Sequence, residues 1–117
     1  MFRIRKEFHF SASHQLSPLP DDHQCARLHG HNYIVVVELA AKTLNADGFV
    51  RDYHALNPLK AYIDDHFDPR HLNDVLDGPS TAENMAKHFH DWCAARWPET
   101  SAVLVSETPK TWAEYRP

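Results

Sequence analysis

Hydrophobic and polar residues alternate at the start of the chain, and this alternation predicts a strand. Over residues 2–10 the apolar side chains are Phe2, Ile4, Phe8 and Phe10, separated mostly by charged residues, the period-2 pattern of a half-buried strand. A second strand is predicted over residues 32–41, whose run Ile34-Val35-Val36-Val37 is typical of a central strand. The polar, proline-bearing residues 11–28 between them predict a long loop, and such loops are usually functional or disordered.

Three further segments have strand character. Residues 49–51 follow the turn-forming residues 45–48 and are expected to resume strand pairing. Near the end of the chain, residues 102–105 predict another strand and residues 111–116 a last short one.

Apolar residues at helical spacing predict two helices. The first follows Asp52, a suitable N-cap, and its apolar face is formed by Leu56, Leu59, Ile63 and Phe67. The second follows the capping box Ser80-Thr81-Ala82-Glu83, with Ser80 as the expected N-cap, and ends near Trp97. On this second helix His88 and His90 lie about 200° apart, so we expect them to be solvated or cap-like rather than to share a ligand. Paired strands with two helices indicate one α+β domain over residues 1–117, with a mainly antiparallel sheet.

Composition excludes several classes of function. The formal net charge is −4 and the pI is near 6.2, so the chain lacks the basic surface of a nucleic-acid-binding protein. No apolar run approaches the roughly 20 residues needed to span a bilayer. The start of the sequence lacks the apolar region of a secretory signal, so we expect a cytoplasmic protein with no membrane partner.

Histidine is the unusual residue, with 10 in 117 positions. His29 and His31 flank Gly30 at the start of a predicted strand, where residues two apart point to the same face. If the first two strands pair as antiparallel neighbours, His14 reaches that face too. Three imidazoles without a thiolate suit a catalytic zinc with an open fourth position, although other divalent ions accept the same ligands. The alternative is that two histidines at this spacing arise by chance in a histidine-rich chain.

The two cysteines have different predicted roles. Cys25 lies in a polar loop four residues before a candidate metal ligand, where positive charge would favour the thiolate, although a buried small side chain is the alternative. Cys93 falls on the apolar face of the second predicted helix, so we expect it to pack in the core.

Six short segments together resemble the 6-pyruvoyl-tetrahydropterin synthase / 6-carboxytetrahydropterin synthase family. Each is weak alone, but their joint order and spacing along nearly the whole chain are specific. They are Phe10-Ser11-Ala12-Ser13-His14, Cys25-x3-His29-Gly30-His31, Gly48-Phe49-Val50-Arg51-Asp52, His71-Leu72-Asn73-Asp74, Thr81-Ala82-Glu83-Asn84 and Val105-Ser106-Glu107-Thr108.

The resemblance implies the tunnelling fold, an antiparallel sheet with two helices on one face whose sheets join into an oligomeric barrel. It also implies a homo-oligomer, usually a homohexamer, with active sites at subunit interfaces. By motif position His14, His29 and His31 resemble the zinc ligands, and Cys25 resembles the catalytic thiol. Glu107 resembles the carboxylate that anchors the pterin, and Thr81 and Arg27 are further candidate contacts to the pterin triphosphate substrate.

The spacing within the Cys-His-Gly-His segment resembles one branch of the family. Three residues between Cys25 and His29 are similar to the 6-carboxytetrahydropterin synthases of queuosine (7-deazapurine) biosynthesis. The implied reaction converts 7,8-dihydroneopterin triphosphate to 6-carboxy-5,6,7,8-tetrahydropterin, acetaldehyde and triphosphate. Alternatives are a lyase that forms the pyruvoyl product, a non-catalytic pterin-binding homologue, and a structural zinc module.

One segment departs from the family pattern. Members carry adjacent Asp-His, two further residues and then Leu-Asn, whereas here Pro69 occupies the histidine position. His71 lies two residues further on and would face the same way in an extended segment, so we assign the proton relay to Asp68 with His71. The rival assignment is the adjacent pair Asp65-His66, which requires a two-residue shift.

Overall fold

The computed structural model describes residues 1–16, 20, 22–23 and 28–117. It contains a five-stranded sheet and two α-helices, with short 3-10 turns at Tyr53–Leu56 and Leu72–Asp74. The strands are β1 (Phe2–His14), β2 (His29–Ala41), β3 (Arg70–His71), β4 (Thr100–Thr108) and β5 (Thr111–Tyr115), and the helices are α1 (Asn57–His66) and α2 (Ala82–Ala94). The strand order is β3-β1-β2-β4-β5, antiparallel throughout except for the short parallel pair β1–β3.

Both helices lie against one face of the sheet, where the core forms. Alternate residues of β1 and β2, such as Phe8, Phe10 and Val35, point toward the helices and are buried. The Phe10 ring stacks on Tyr33 with centroids 5.0 Å apart and meets the edges of Phe67 and Phe89, which links the sheet to the two helical segments. The predicted α+β fold with a mainly antiparallel sheet is therefore confirmed.

Two predictions about strands were wrong. The first strand does not end at residue 10, because residues 11–14 continue the ladder and pair with residues 32–29 of β2. Residues 49–51 form no strand. Instead the Asn45 side chain accepts hydrogen bonds from the amides of Asp47 and Phe49 and folds the segment into a turn, and Arg51 binds Glu99.

Details of the second helix also differ from the prediction. Thr81, not Ser80, is the N-cap, and its hydroxyl accepts from the Asn84 amide at 3.2 Å. His88 and His90 are not solvated, because α2 is packed on both sides. His88 is partly buried and pairs with the Tyr62 hydroxyl at 2.7 Å, whereas His90 is 7% exposed and lies against the Tyr115 ring.

In the described part of the chain, no helix combines the length and the apolar character needed to cross a bilayer.

Candidate metal centre and active site

Three histidines converge where β1 ends and β2 begins. The register places His14 opposite His29 and Ala12 opposite His31, so all three imidazoles point to the face that carries the core. One nitrogen from each ring lies within 4.8 Å of the others, and the Nε2 atoms of His14 and His29 are 2.8 Å apart. The cluster confirms the geometric prediction that His14 reaches the face shared by His29 and His31.

A hydrogen bond fixes the orientation of His14, which is 1% exposed. Its Nδ1 lies 2.7 Å from the Ser80 carbonyl oxygen, which can only accept, so Nδ1 carries the proton. In the neutral ring, Nε2 then presents its lone pair to the other two histidines. A backbone carbonyl that holds the second nitrogen of a metal-binding histidine is a recurrent feature of metal sites.

Asn73 links the segment that contains Ser80 to the end of β1. Its side chain accepts from the Gln15 amide at 2.8 Å and donates to the Gln15 carbonyl at 2.6 Å. The Ser80 hydroxyl donates to the same Asn73 oxygen at 3.2 Å. Because Gln15 directly follows His14, the bonds of Asn73 fix the position of His14 relative to the Ser80 carbonyl that accepts its hydrogen bond.

Electrostatics favour the metal-binding form of His31. Burial lowers the pKa of His31, the nearby Glu107 carboxylate opposes that shift, and the neighbouring His14 and His29 reinforce it. The net direction is downward, so the ring is neutral at pH 7. A neutral imidazole is the form that binds a metal ion.

Glu107 completes the ring of polar groups around the histidines. It stands near the end of β4, and its Oε2 lies 3.7 Å from His14 Nε2 and 3.9 Å from His31 Nε2. This oxygen is buried and has no hydrogen-bond partner among the described residues. The Tyr33 hydroxyl is likewise buried and unpaired in that part of the chain, and burial is the main reason why its pKa is raised.

These donors fit a metal ion. Three imidazole nitrogens already lie close together, one is oriented by a backbone carbonyl, and an unpaired carboxylate oxygen faces them. Nitrogen and oxygen donors in such a set suit zinc and related divalent transition metals. His14, His29 and His31 could therefore hold a metal ion.

The sequence matches the family model "6-pyruvoyl tetrahydropterin synthase" over residues 3–117. The chain belongs to this family. It is 31% identical to the 6-carboxy-5,6,7,8-tetrahydropterin synthase of Bacillus subtilis, with 99% of this chain and 86% of that protein covered. The protein of the same name from Synechocystis is 34% identical, with coverages of 98% and 93%.

Solved structures of the family share the fold. The Caenorhabditis elegans 6-pyruvoyl tetrahydropterin synthase superposes with a TM-score of 0.86 at 26% identity, over 99% of this chain and 95% of that chain. A Plasmodium vivax 6-pyruvoyltetrahydropterin synthase superposes with a TM-score of 0.78 at 17% identity, over 99% and 97% of the two chains. The chain is thus a T-fold protein and, as a 6-pyruvoyl tetrahydropterin synthase family member, a lyase.

In this chain the predicted relay residues bond to β1 rather than to the histidine cluster, although Asp68 lines one groove with His31 and Glu107. Asp68 accepts from the Ser11 amide at 2.9 Å, and His71 Nδ1 lies 3.0 Å from the Ser13 hydroxyl. Ser13 and His14 are consecutive in β1 and point to opposite faces, so His71 lies on the face away from the cluster. In the rival pair, His66 ends α1 and is exposed.

The other residues assigned from the family resemblance lie in different parts of the chain. Cys25 and Arg27 lie outside the described residues. Thr81 caps α2 directly after Ser80, whose carbonyl holds His14, so it stands beside the cluster. Cys93 is fully buried, and burial raises the pKa of its thiol to about 12, which confirms its predicted place in the core.

Three residues of this site were not identified from the sequence, namely Ser80, Asn73 and Tyr33. Asn73 belongs to a motif already quoted, but nothing in that motif indicates its bonds to Gln15. Ser80 was interpreted as a helix cap, and the role of its carbonyl depends on a contact with a residue 66 positions away.

Proposed function

We propose that this protein is a zinc-dependent 6-carboxy-5,6,7,8-tetrahydropterin synthase. It would convert 7,8-dihydroneopterin triphosphate to 6-carboxy-5,6,7,8-tetrahydropterin, acetaldehyde and triphosphate, and would serve queuosine (7-deazapurine) biosynthesis. The observation that carries the proposal is the convergence of His14, His29 and His31 in a chain whose relatives bear that enzyme name. The three-residue spacing between Cys25 and His29 supports the carboxy product rather than the pyruvoyl one.

The proposed roles follow from the chemistry of each side chain. His14, His29 and His31 hold the metal, and the Ser80 carbonyl keeps His14 in the binding tautomer. When bound, zinc supplies Lewis-acid stabilisation of negative charge on substrate oxygens. Glu107 accepts two hydrogen bonds from the ring N–H and exocyclic amine of the pterin and thereby fixes its orientation.

Proton transfer is assigned to Cys25, with Asp68 and His71 as the relay. A thiol needs a nearby imidazole or cation to bring its pKa close to neutral, where it can take up and release a proton at carbon. Arg27 is the proposed contact to the triphosphate and Thr81 a further contact to the substrate.

A homo-oligomer, with a hexamer as the family expectation, would complete the site. His71 lies on the opposite face of the sheet from the histidine cluster, so a second copy is the proposed source of the relay. We expect a mixture of the inactive His29→Ala and His71→Ala variants, dissociated and reassembled together, to recover activity. Failure of mixed assemblies of proven composition to recover any activity would contradict a shared site.

Product identification tests the reaction. The purified, zinc-loaded protein is incubated with 7,8-dihydroneopterin triphosphate, and the pterin product and acetaldehyde are measured by mass spectrometry. Acetaldehyde and the carboxy product in equal amounts would support the proposal, whereas the pyruvoyl product without acetaldehyde would contradict it. His29→Ala is expected to lose both metal and turnover, and Cys25→Ala turnover alone.

The second candidate function is a non-catalytic pterin-binding homologue. Proline at position 69, where the family carries the relay histidine, favours this alternative. Tight binding of the substrate with no turnover in the zinc-loaded oligomer would select it.

A further inference from the structure

The unpaired oxygen of Glu107 lies near a nitrogen of His14 that has no proton to donate to it. His14 Nδ1 donates to the Ser80 carbonyl, so the Nε2 that lies 3.7 Å from Glu107 Oε2 carries no proton in the neutral ring. A buried carboxylate oxygen without a hydrogen-bond donor destabilises the folded protein. The same Nε2 lies 2.8 Å from His29 Nε2, so His14 offers no donor to Glu107, and a cation among these atoms would pair with the carboxylate.

Two distances are close to those expected if Glu107 is a fourth ligand. In a tetrahedral site with bonds of about 2.0–2.1 Å, two ligand atoms lie about 3.4 Å apart. The Glu107 Oε2 distances to His14 and His31, 3.7 and 3.9 Å, exceed this separation by only a few tenths of an ångström. They also exceed ordinary hydrogen-bond lengths, so a direct hydrogen bond is not the explanation.

We infer that Glu107 is a fourth protein ligand of the metal in the substrate-free protein, and that binding of the pterin ring withdraws it. The inference rests on the proposed function, in which the same carboxylate receives the N–H groups of the pterin. To pair side by side with both pterin donors, Glu107 would have to turn its two oxygens toward the ring, whereas in the substrate-free protein Oε2 faces the histidines. Docking of the heterocycle would therefore open the fourth position for the substrate, and small ligands would be excluded before that.

Access to Glu107 is compatible with this exchange. Its side chain is 30% exposed, although Oε2 itself is buried. On the helix-covered face it lines a small open groove of about 250 Å³ between α2 and β5, together with Glu83 and Trp112. A ligand entering this groove can thus reach the exposed part of the Glu107 side chain from solvent.

The test uses Co²⁺ as a spectroscopic substitute and azide as a small competing ligand. Wild-type protein is compared with Glu107→Gln and with Glu83→Gln, a control carboxylate in the first turn of α2 that lines the same small pocket as Glu107. We expect azide to change the visible Co²⁺ spectrum of Glu107→Gln at a concentration at least tenfold lower than for the wild type or Glu83→Gln. Equal azide sensitivity of the wild type and Glu107→Gln would overturn the inference.

Release by the substrate is tested with unsubstituted pterin, which lacks the reacting side chain. At pterin concentrations that saturate binding by fluorescence, the wild-type Co²⁺ protein should become azide-sensitive. A spectrum that stays insensitive would show that the heterocycle does not withdraw the ligand. If Glu107→Gln does not fold, Glu107→Asp serves instead, because its carboxylate is one methylene shorter.

A variant of a proposed ligand separates this inference from the function on which it rests. His29→Ala is expected to bind no stoichiometric Co²⁺. Retention of the ion by that variant would refute the metal centre itself. Loss of the ion, combined with an azide-sensitive wild type, would refute only the role of Glu107.

Discussion

A buried carboxylate far from the candidate metal centre gives a prediction for stability. Glu38 of β2 is fully buried, and three side chains donate four hydrogen bonds to its two oxygens. Arg116 donates to both oxygens at 2.6 and 3.1 Å, Arg5 donates to Oε2 at 3.0 Å and the Ser101 hydroxyl donates to Oε1 at 2.7 Å. These bonds, chiefly those from Arg116, outweigh burial and lower the pKa of Glu38 from 4.5 to about 2.

The size and sign of the effect follow from that shift. A carboxylate with a lowered folded-state pKa contributes stability above pH 4.5 and loses it as the pH falls toward 2. The difference of about 2.5 pKa units corresponds to about 3 kcal/mol at most. Between pH 7 and pH 3, about 2 kcal/mol of this contribution should disappear.

Glu38→Gln removes the titration but preserves the shape of the side chain. We expect it to lower the free energy of unfolding by about 2–3 kcal/mol at pH 7 and by less than about 1 kcal/mol at pH 3. Urea unfolding of the metal-free protein, at one protein concentration and with a chelator present, measures both values. The exposed Glu7→Gln serves as the control and should change stability by less than about 0.5 kcal/mol. A wild-type-to-Glu38→Gln difference that stays constant from pH 7 to pH 3 would refute the reasoning.

Three further predictions concern the site. Asn73→Ala should weaken Zn²⁺ binding about 10–100-fold because it frees the segment that orients His14. Competition with a chromophoric chelator measures the Zn²⁺ affinity. If the affinity of Asn73→Ala is no lower than that of the exposed control variant Asn57→Ala, the prediction is contradicted. Removal of the metal should abolish turnover. It should leave the far-ultraviolet circular dichroism spectrum and cooperative unfolding intact, because the hydrophobic core lies between the sheet and the helices. Unfolding on chelation would instead indicate a structural zinc module. His71→Ala should lower kcat at least about 100-fold with full metal content, whereas His66→Ala should not; the reverse result would identify His66 as the relay.

The strands and helices that could be predicted are those with a strong period. The alternation in β1 and the β-branched run in β2 located both strands, and antiparallel pairing of the two then placed His14 with His29 and His31. The first strand was predicted too short because the polar residues 11–14 carry no apolar alternation. Their extended conformation depends on the ladder with β2, which is a tertiary contact.

Other features lack any local signal. The two-residue β3 is too short to show a period, and it exists because Arg70 and His71 lie beside β1. The helical geometry of His88 and His90 was predicted correctly, but their burial depends on α2 having Tyr62 on one side and Tyr115 on the other. The carbonyl that orients His14 is invisible in the sequence for the same reason, since backbone acceptors look identical at every position.

The two faces of the sheet divide the proposed chemistry between them. The histidine cluster and Glu107 lie on the helix-covered face, where neighbouring side chains and backbone can fix a ligand set and exclude water. His71 lies with Ser13 on the other face, so it cannot serve the cluster of its own chain without crossing the backbone of β1. A metal centre of this kind can form within one chain, whereas the proton relay requires two chains if His71 performs it. Metal binding and turnover should therefore respond differently to dissociation, because only turnover depends on the neighbouring copy.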